Sequence, residues 1–147
     1  MIQIFSDCDP NQIAPKQNRI KNIVVKVFTF YKINDAEISI IFGNDHLLRK
    51  IKKEFFKVDY FTDVIAFRLN KYEEKNIEGE IYISLPRAKE NAKIYKEPYE
   101  KEISRLIIHA CLHLIGFSDK TKLEKNKMRE LENSFLNKIS WENFLKK

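Results

Sequence analysis

The chain is expected to fold as an α+β protein: a single small mixed β-sheet of about four strands covered by about five helices. Three observations predict this. Apolar residues recur every three or four positions in some stretches, the helical period, and cluster as short β-branched runs in others. The stretches follow in the order strand, helix, strand, helix, two strands, then three helices, which leaves one sheet with helices laid over it. Only three glycines and four prolines interrupt the 147 residues, so no long linker divides the chain, and residues 1–147 are expected to form a single domain.

IQIF, residues 2–5, reads as a short strand. Residues 16–32 place Ile20, Ile23, Val24, Val27, Phe28 and Tyr31 at spacings of three and four, the mark of an amphipathic helix. EISIIFG, 37–43, is rich in β-branched residues and stops at glycine, hence a strand. Asn44 is placed to cap a helix that continues through LLRKIKKEFF. TDVIAFRLN (62–70) and GEIYISL (79–85) are two further strands. Pro86 opens a helix, PRAKENAKIYK, and Tyr99 to Phe117 is the longest apolar helix. Residues 121–138 form the last helix, with Leu123, Met128, Leu131, Phe135 and Leu136 inward. In the tail SWENFLKK, Trp141 and Phe144 are expected to pin the chain to its body.

Composition excludes some classes of function. No apolar run approaches the roughly 20 residues of a membrane span. The opening MIQIFSDCDP is acidic where a signal peptide is basic. The chain is therefore expected to be cytoplasmic, with no membrane partner. Two cysteines, Cys8 and Cys111, make no disulfide framework, and Cys111 reads as a small buried thiol. The net charge of +6 permits a polyanionic partner. Its distribution says more: no acid interrupts Pro10 to Ile33, against Lys16, Arg19, Lys21, Lys26 and Lys32. A second basic group is Arg49, Lys50, Lys52, Lys53 and Lys57.

One stretch stands out, HACLHLIGFSD at 109–119. At about 100° per residue, His109 and His113 share one helix face, as two imidazoles on one metal ion require. Glu102, Arg105, His109, His113 and Gly116 fall on one polar stripe, and Ile103, Ile107, Ile108, Ala110, Cys111, Leu114 and Ile115 occupy most of the rest. A buried helix with one polar stripe lines a cleft, and its histidines need partners there. Gly116 can end the helix and reverse the chain, which brings Asp119 back as a carboxylate ligand. His109, His113 and Asp119 with one open position describe a hydrolytic zinc site, one ion per chain, whose bound water can serve as nucleophile. No other catalytic group is apparent. Ala110 stands where the HExxH peptidase helix has its glutamate base, so a peptidase reading lacks its base. Glu102 and Arg105 either support the ligands from behind or form a surface pair at i, i+3. His46, at a helix start, reads as a surface residue.

HACLHLIGFSDK resembles the signature of the YbeY family of bacterial metal-dependent endoribonucleases, H-G-x-L-H-L-x-G-Y with a third ligand ten residues after the first histidine. His109, Leu112, His113, Leu114 and Gly116 match. Asp119 stands where most members have histidine, Ala110 replaces glycine, and Phe117 replaces tyrosine. TDVIAF (62–67) and GEIYIS (79–84) resemble two further blocks of the family in its order and spacing, so the likeness covers roughly residues 37–135. The resemblance implies single-strand-specific RNA cleavage, maturation of the 3′ end of small-subunit ribosomal RNA, and ribosome quality control. On an RNA substrate the 2′-hydroxyl is the alternative nucleophile to the bound water, and the sequence does not decide between them. The implied partners are ribosomal RNA and the small subunit; oligomeric state stays open. Lys57, Thr62, Asp63 and Arg68 are candidate RNA-binding residues, although Thr62 and Asp63 also suit a strand start. The resemblance also implies an arginine where this chain has Phe55, with Lys57 and Arg49 nearby. That loss keeps a second reading open, a non-enzymatic ribosome-assembly factor with a structural metal.

Overall fold

The structure, a computed structural model, describes residues 1–145; Lys146 and Lys147 of the expected tail lie outside the described residues. Its elements are β1 (Ile2–Cys8), α1 (Gln17–Phe30), β2 (Ala36–Gly43), α2 (Asp45–Phe56), β3 (Val64–Arg68), β4 (Ile77–Ser84), α3 (Leu85–Tyr95), α4 (Tyr99–Ile115) and α5 (Lys122–Leu136). The strands form one sheet in the order β1-β2-β4-β3. β1, β2 and β4 are parallel, and β3 joins β4 antiparallel. The expected α+β architecture is the one observed.

The alternation in β2 and β4 sends Ile38, Ile40, Phe42, Ile77, Ile81 and Ile83 to one face, where they meet α1 and α4 in the main core. On the other face α2 lays Leu48 and Ile51 over Ile65, with Phe67 and Tyr82 beside them. α4 is the central helix, touching α1, α3, α5, β3 and β4. Ten of its seventeen residues are buried, as the near-continuous apolar surface requires.

Local signals account for most boundaries. The Asn44 side chain accepts from the Leu47 amide, as expected of the cap of α2. Ser84 caps α3, which starts at Leu85, one residue before the predicted Pro86, with proline in its first turn. Thr121 and Glu124 form a reciprocal capping box at α5. Two expectations need correction. β1 runs three residues past the predicted IQIF, because Ser6, Asp7 and Cys8 continue the parallel register with Ile40, Ile41 and Phe42. Leu123 faces solvent, 80% exposed, since the first turn of α5 lies beyond the body that Met128 and Phe135 meet. Phe144 pins the tail as expected: it is fully buried. The Glu100 carboxylate accepts the amides of Phe144 and Leu145. Two cations of the acid-free block also hold this segment, Lys26 donating to the Lys138 carbonyl and Arg19 to that of Ser140.

Gly79 lets α4 approach the sheet. A Cβ there would stand 2.9 Å from both Leu114 methyls and 3.1 Å from the Phe67 carbonyl, and Leu114 is buried and cannot swing away. Gly79→Ala is therefore expected to cost about 1–3 kcal/mol by overpacking, read as a lower Tm. An unchanged Tm would show that α4 can retreat.

Candidate metal centre

α4 presents His109 and His113 one turn apart, their Nε2 atoms 3.1 Å from each other. The helix ends at Gly116, whose φ of 126° is open to glycine and costly for any other residue. The Gly116 amide donates to the Leu112 and His113 carbonyls, and the Phe117 amide to Leu112. This reversal carries Asp119 back over the helix end. Its carboxylate oxygens stand 3.5 Å from His109 Nε2 and 3.4 Å from His113 Nε2. One ligand atom from each of the three residues lies within 4.8 Å of the others. Two imidazole nitrogens and one carboxylate oxygen converging in this way fit a divalent cation of the zinc type.

Behind the ligands runs a buried polar network. His109 Nδ1 lies 2.6 Å from the Glu132 carboxylate. A carboxylate can only accept there, so Nδ1 carries a proton and Nε2 is the nitrogen left to ligate, facing His113 and Asp119. Glu132 also accepts from Arg105 at 3.0 Å. Arg105 grips Glu102 through two further nitrogens, at 2.9 and 2.6 Å. The Asn91 amide then donates to Glu102 at 3.3 Å and to Asp63 at 2.9 Å. Burial opposes ionisation of Glu132, but the His109 hydrogen bond and the Arg105 charge outweigh it, so its pKa lies below the ordinary value. Burial, then the neighbouring His109, lowers the pKa of His113 against the pull of Asp119. His113 is therefore neutral at neutral pH, the form that ligates metal.

The three residues open onto a cleft of about 440 Å³. Thr62 and Asp63, read as RNA-binding candidates, line it together with Val64 and Ala66 of β3. Lys57 and Arg68 are not among the lining residues. Lys57 ends α2 in a left-handed conformation, its ammonium on the Glu54 carbonyl. The guanidinium of Arg68 donates to the carbonyls of Leu114, Lys71, Glu74 and Asn76, and so braces the 70–76 loop. Glu102 and Arg105 are buried as a pair rather than exposed, and Arg105 reaches the ligands through Glu132. His46 is exposed at the start of α2.

Sequence reasoning missed Glu132, Asn91, Lys52, Phe56, Tyr60 and Lys120. Glu132 carried a readable signal, since it shares the buried face of α5 with Met128, Phe135 and Leu136, and a carboxylate there demands a buried partner. Lys52, Phe56 and Tyr60 line the cleft from outside the matched blocks, and Lys120 lines it from the position after Asp119.

The chain is also similar to known proteins. The chain is 40% identical to Endoribonuclease YbeY of Chloroherpeton thalassium over 120 residues, 82% of this chain and 84% of that protein. It is 41% identical to Endoribonuclease YbeY of Karelsulcia muelleri over 100 residues, 68% of this chain and 70% of that one. The solution structure of TM1509 from Thermotoga maritima shares the fold, with a TM-score of 0.61 at 24% identity over 94% of this chain and 91% of that one. The profile of the family described as Endoribonuclease YbeY spans residues 6–140. With the histidine pair, the reversal at Gly116 and the β3–β4 blocks all inside that span, the chain belongs to the Endoribonuclease YbeY family.

Proposed function

We propose that the protein is a single-strand-specific endoribonuclease holding one zinc ion on His109, His113 and Asp119. It acts in the cytoplasm on the 3′ end of small-subunit ribosomal RNA and in ribosome quality control. The observation that carries the chemistry is the convergence of these three ligands at one wall of an open cleft. A divalent metal bound there supplies Lewis acidity toward a phosphodiester and lowers the pKa of water.

The chain's own groups do the rest. Glu132 fixes the tautomer and tilt of His109. Lys52 and Lys120 line the cleft, where they attract the phosphates of a polyanion and make binding salt-sensitive. Asp63, held by Asn91, adds a carboxylate to the same cleft. Ala110 leaves the peptidase base position empty of a carboxylate.

A second reading, an RNA-binding assembly factor with a structural metal, rests on Phe55, a 66%-exposed ring in place of the arginine that the resemblance implies. The test is cleavage of single-stranded and duplex RNA of one sequence, with zinc or with chelator, by wild type and His109→Ala. Zinc-dependent cutting of the single strand alone, absent in His109→Ala while RNA binding persists, is expected. A zinc-loaded wild type that binds but never cuts would favour the assembly factor.

A further inference from the structure

The end of α2 and the loop after it read FFKVDYF, residues 55–61. Four of these seven residues are aromatic, and all four are exposed: Phe55 66%, Phe56 43%, Tyr60 52% and Phe61 43%. Exposed rings grouped this closely mark a surface that another molecule covers. The two rings that end α2 are backed from the sheet. Phe67 of β3 backs the group, stacked on Phe56 with ring centroids 5.4 Å apart and edge-on to Phe55 at 5.6 Å. Cations flank the rings: Lys52 Nζ lies 4.4 Å from the Phe56 centroid and 5.5 Å from that of Tyr60. Arg49 and Arg87 stand over Phe61 at 5.1 and 5.4 Å.

Arg49 and Arg87 are paired, with Asp59 and Asp45. Lys52 has no ion pair among the described residues, and together with Phe56 and Tyr60 it lines the cleft that holds His109, His113 and Asp119. Half-exposed rings beside an ammonium that has no carboxylate partner, and that a base could displace from over them, suit a ligand that is planar and apolar in one part and anionic in the next. Unpaired nucleotides have that alternation. A duplex hides its base faces in its own stack and cannot use the rings.

We infer that Phe56 and Tyr60 form a stacking platform for unpaired RNA bases, with Lys52 on the adjoining phosphate, and that the platform feeds the strand into the metal cleft. The choice of RNA rests on the function proposed above. Phe67 backs Phe56, and Phe55 packs edge-on against that same Phe67 ring. At the position where the resemblance implies an arginine, the chain thus contributes to ring stacking in place of a charge. Selection of single strands then comes from the platform, because only a splayed base can lie on it.

The test is fluorescence anisotropy of a labelled 12-nucleotide single-stranded RNA and of its duplex. Chelator is present so that nothing is cut, and salt is varied. Tyr60→Ala and Phe56→Leu are expected to weaken single-strand binding roughly tenfold each, with the salt slope unchanged because stacking releases no counterions. Tyr60→Trp should bind as wild type does. Lys52→Ala should lower the slope by about 0.7, the share of one phosphate on a single strand. Circular dichroism and Tm at wild-type values show that the variants fold. Single-strand binding within twofold of wild type in both ring variants would overturn the platform, as would equal wild-type affinity for the duplex. So would ring-dependent sedimentation with phosphatidylserine vesicles while RNA binding ignores the rings. Wild-type cleavage is assayed separately. Ring-dependent binding without cleavage leaves the platform standing and removes the nuclease; cleavage with ring-independent binding does the reverse.

Discussion

Asp119→Ala is expected to purify with less than about a tenth of the wild-type metal, because two imidazoles alone do not close a tetrahedral site. Elemental analysis of both proteins, prepared without chelator, checks it. The variant isolates ligation from folding. The Asp119 side chain is 36% exposed, and among the described residues its ion-pair partners are the two histidines, so its loss should move the Tm of the metal-free protein little. His109→Ala is a less clean probe, since it also takes a partner from the buried Glu132. Asp119→His should restore metal, because an imidazole can serve in the same loop. RNA cleavage should follow metal content across the three proteins. Full metal in Asp119→Ala would mean that the ion, if bound, sits elsewhere.

Glu132→Ala is expected to cost about 3 kcal/mol of stability and 10- to 100-fold in metal affinity. The stability figure lies at the low end for breaking a buried pair, because Glu102 keeps Arg105 paired. The affinity falls because His109 loses the acceptor that sets its tautomer. The pH dependence has a definite sign. Glu132 has a folded pKa below its ordinary 4.5. It therefore contributes stability in full above that ordinary value, and the contribution is lost as pH falls through the lowered folded value. His113, lowered from 6.5, acts in the same direction: the metal-free protein loses stability as acid forces a proton onto it. Denaturation of the metal-free proteins at several pH values should show the lowest-pH part of this loss in wild type and not in Glu132→Ala. Metal titration gives the affinity. A variant with wild-type affinity would reduce Glu132 to a counterion for Arg105.

The parts of this site that could be read in the sequence are local ones. The i, i+4 histidines, the glycine that reverses the chain and the aspartate three residues on lie within 109–119, and their geometry follows from helix period and one positive φ. β2, β4 and α4 were equally plain, because one face or nearly all of each is buried and the apolar pattern records it. What escaped depends on pairing across the chain. Glu132 meets His109 from 23 residues away, and Asn91 meets Asp63 from 28. No period links such positions. The partners of Arg68 are equally non-local: its guanidinium donates to carbonyls of the 70–76 loop, which folds back on it, and to that of Leu114. Residues 6–8 of β1 gave no strand signal of their own, since their place is set by the register with β2.

The placement of Glu132 also has a consequence for timing. It sits on α5, which carries no ligand and joins the body largely through α4. Opening of α5 would take the carboxylate from His109 and free the imidazole to turn, so an ion bound on the three ligands would be held less tightly whenever α5 is open. A bound ion should then slow amide hydrogen exchange in α5 by the factor through which it stabilises the closed state, while β2 and β4, which open only with the whole molecule, report the global stability. A helix that carries no ligand would thus contribute to how tightly the ion is held.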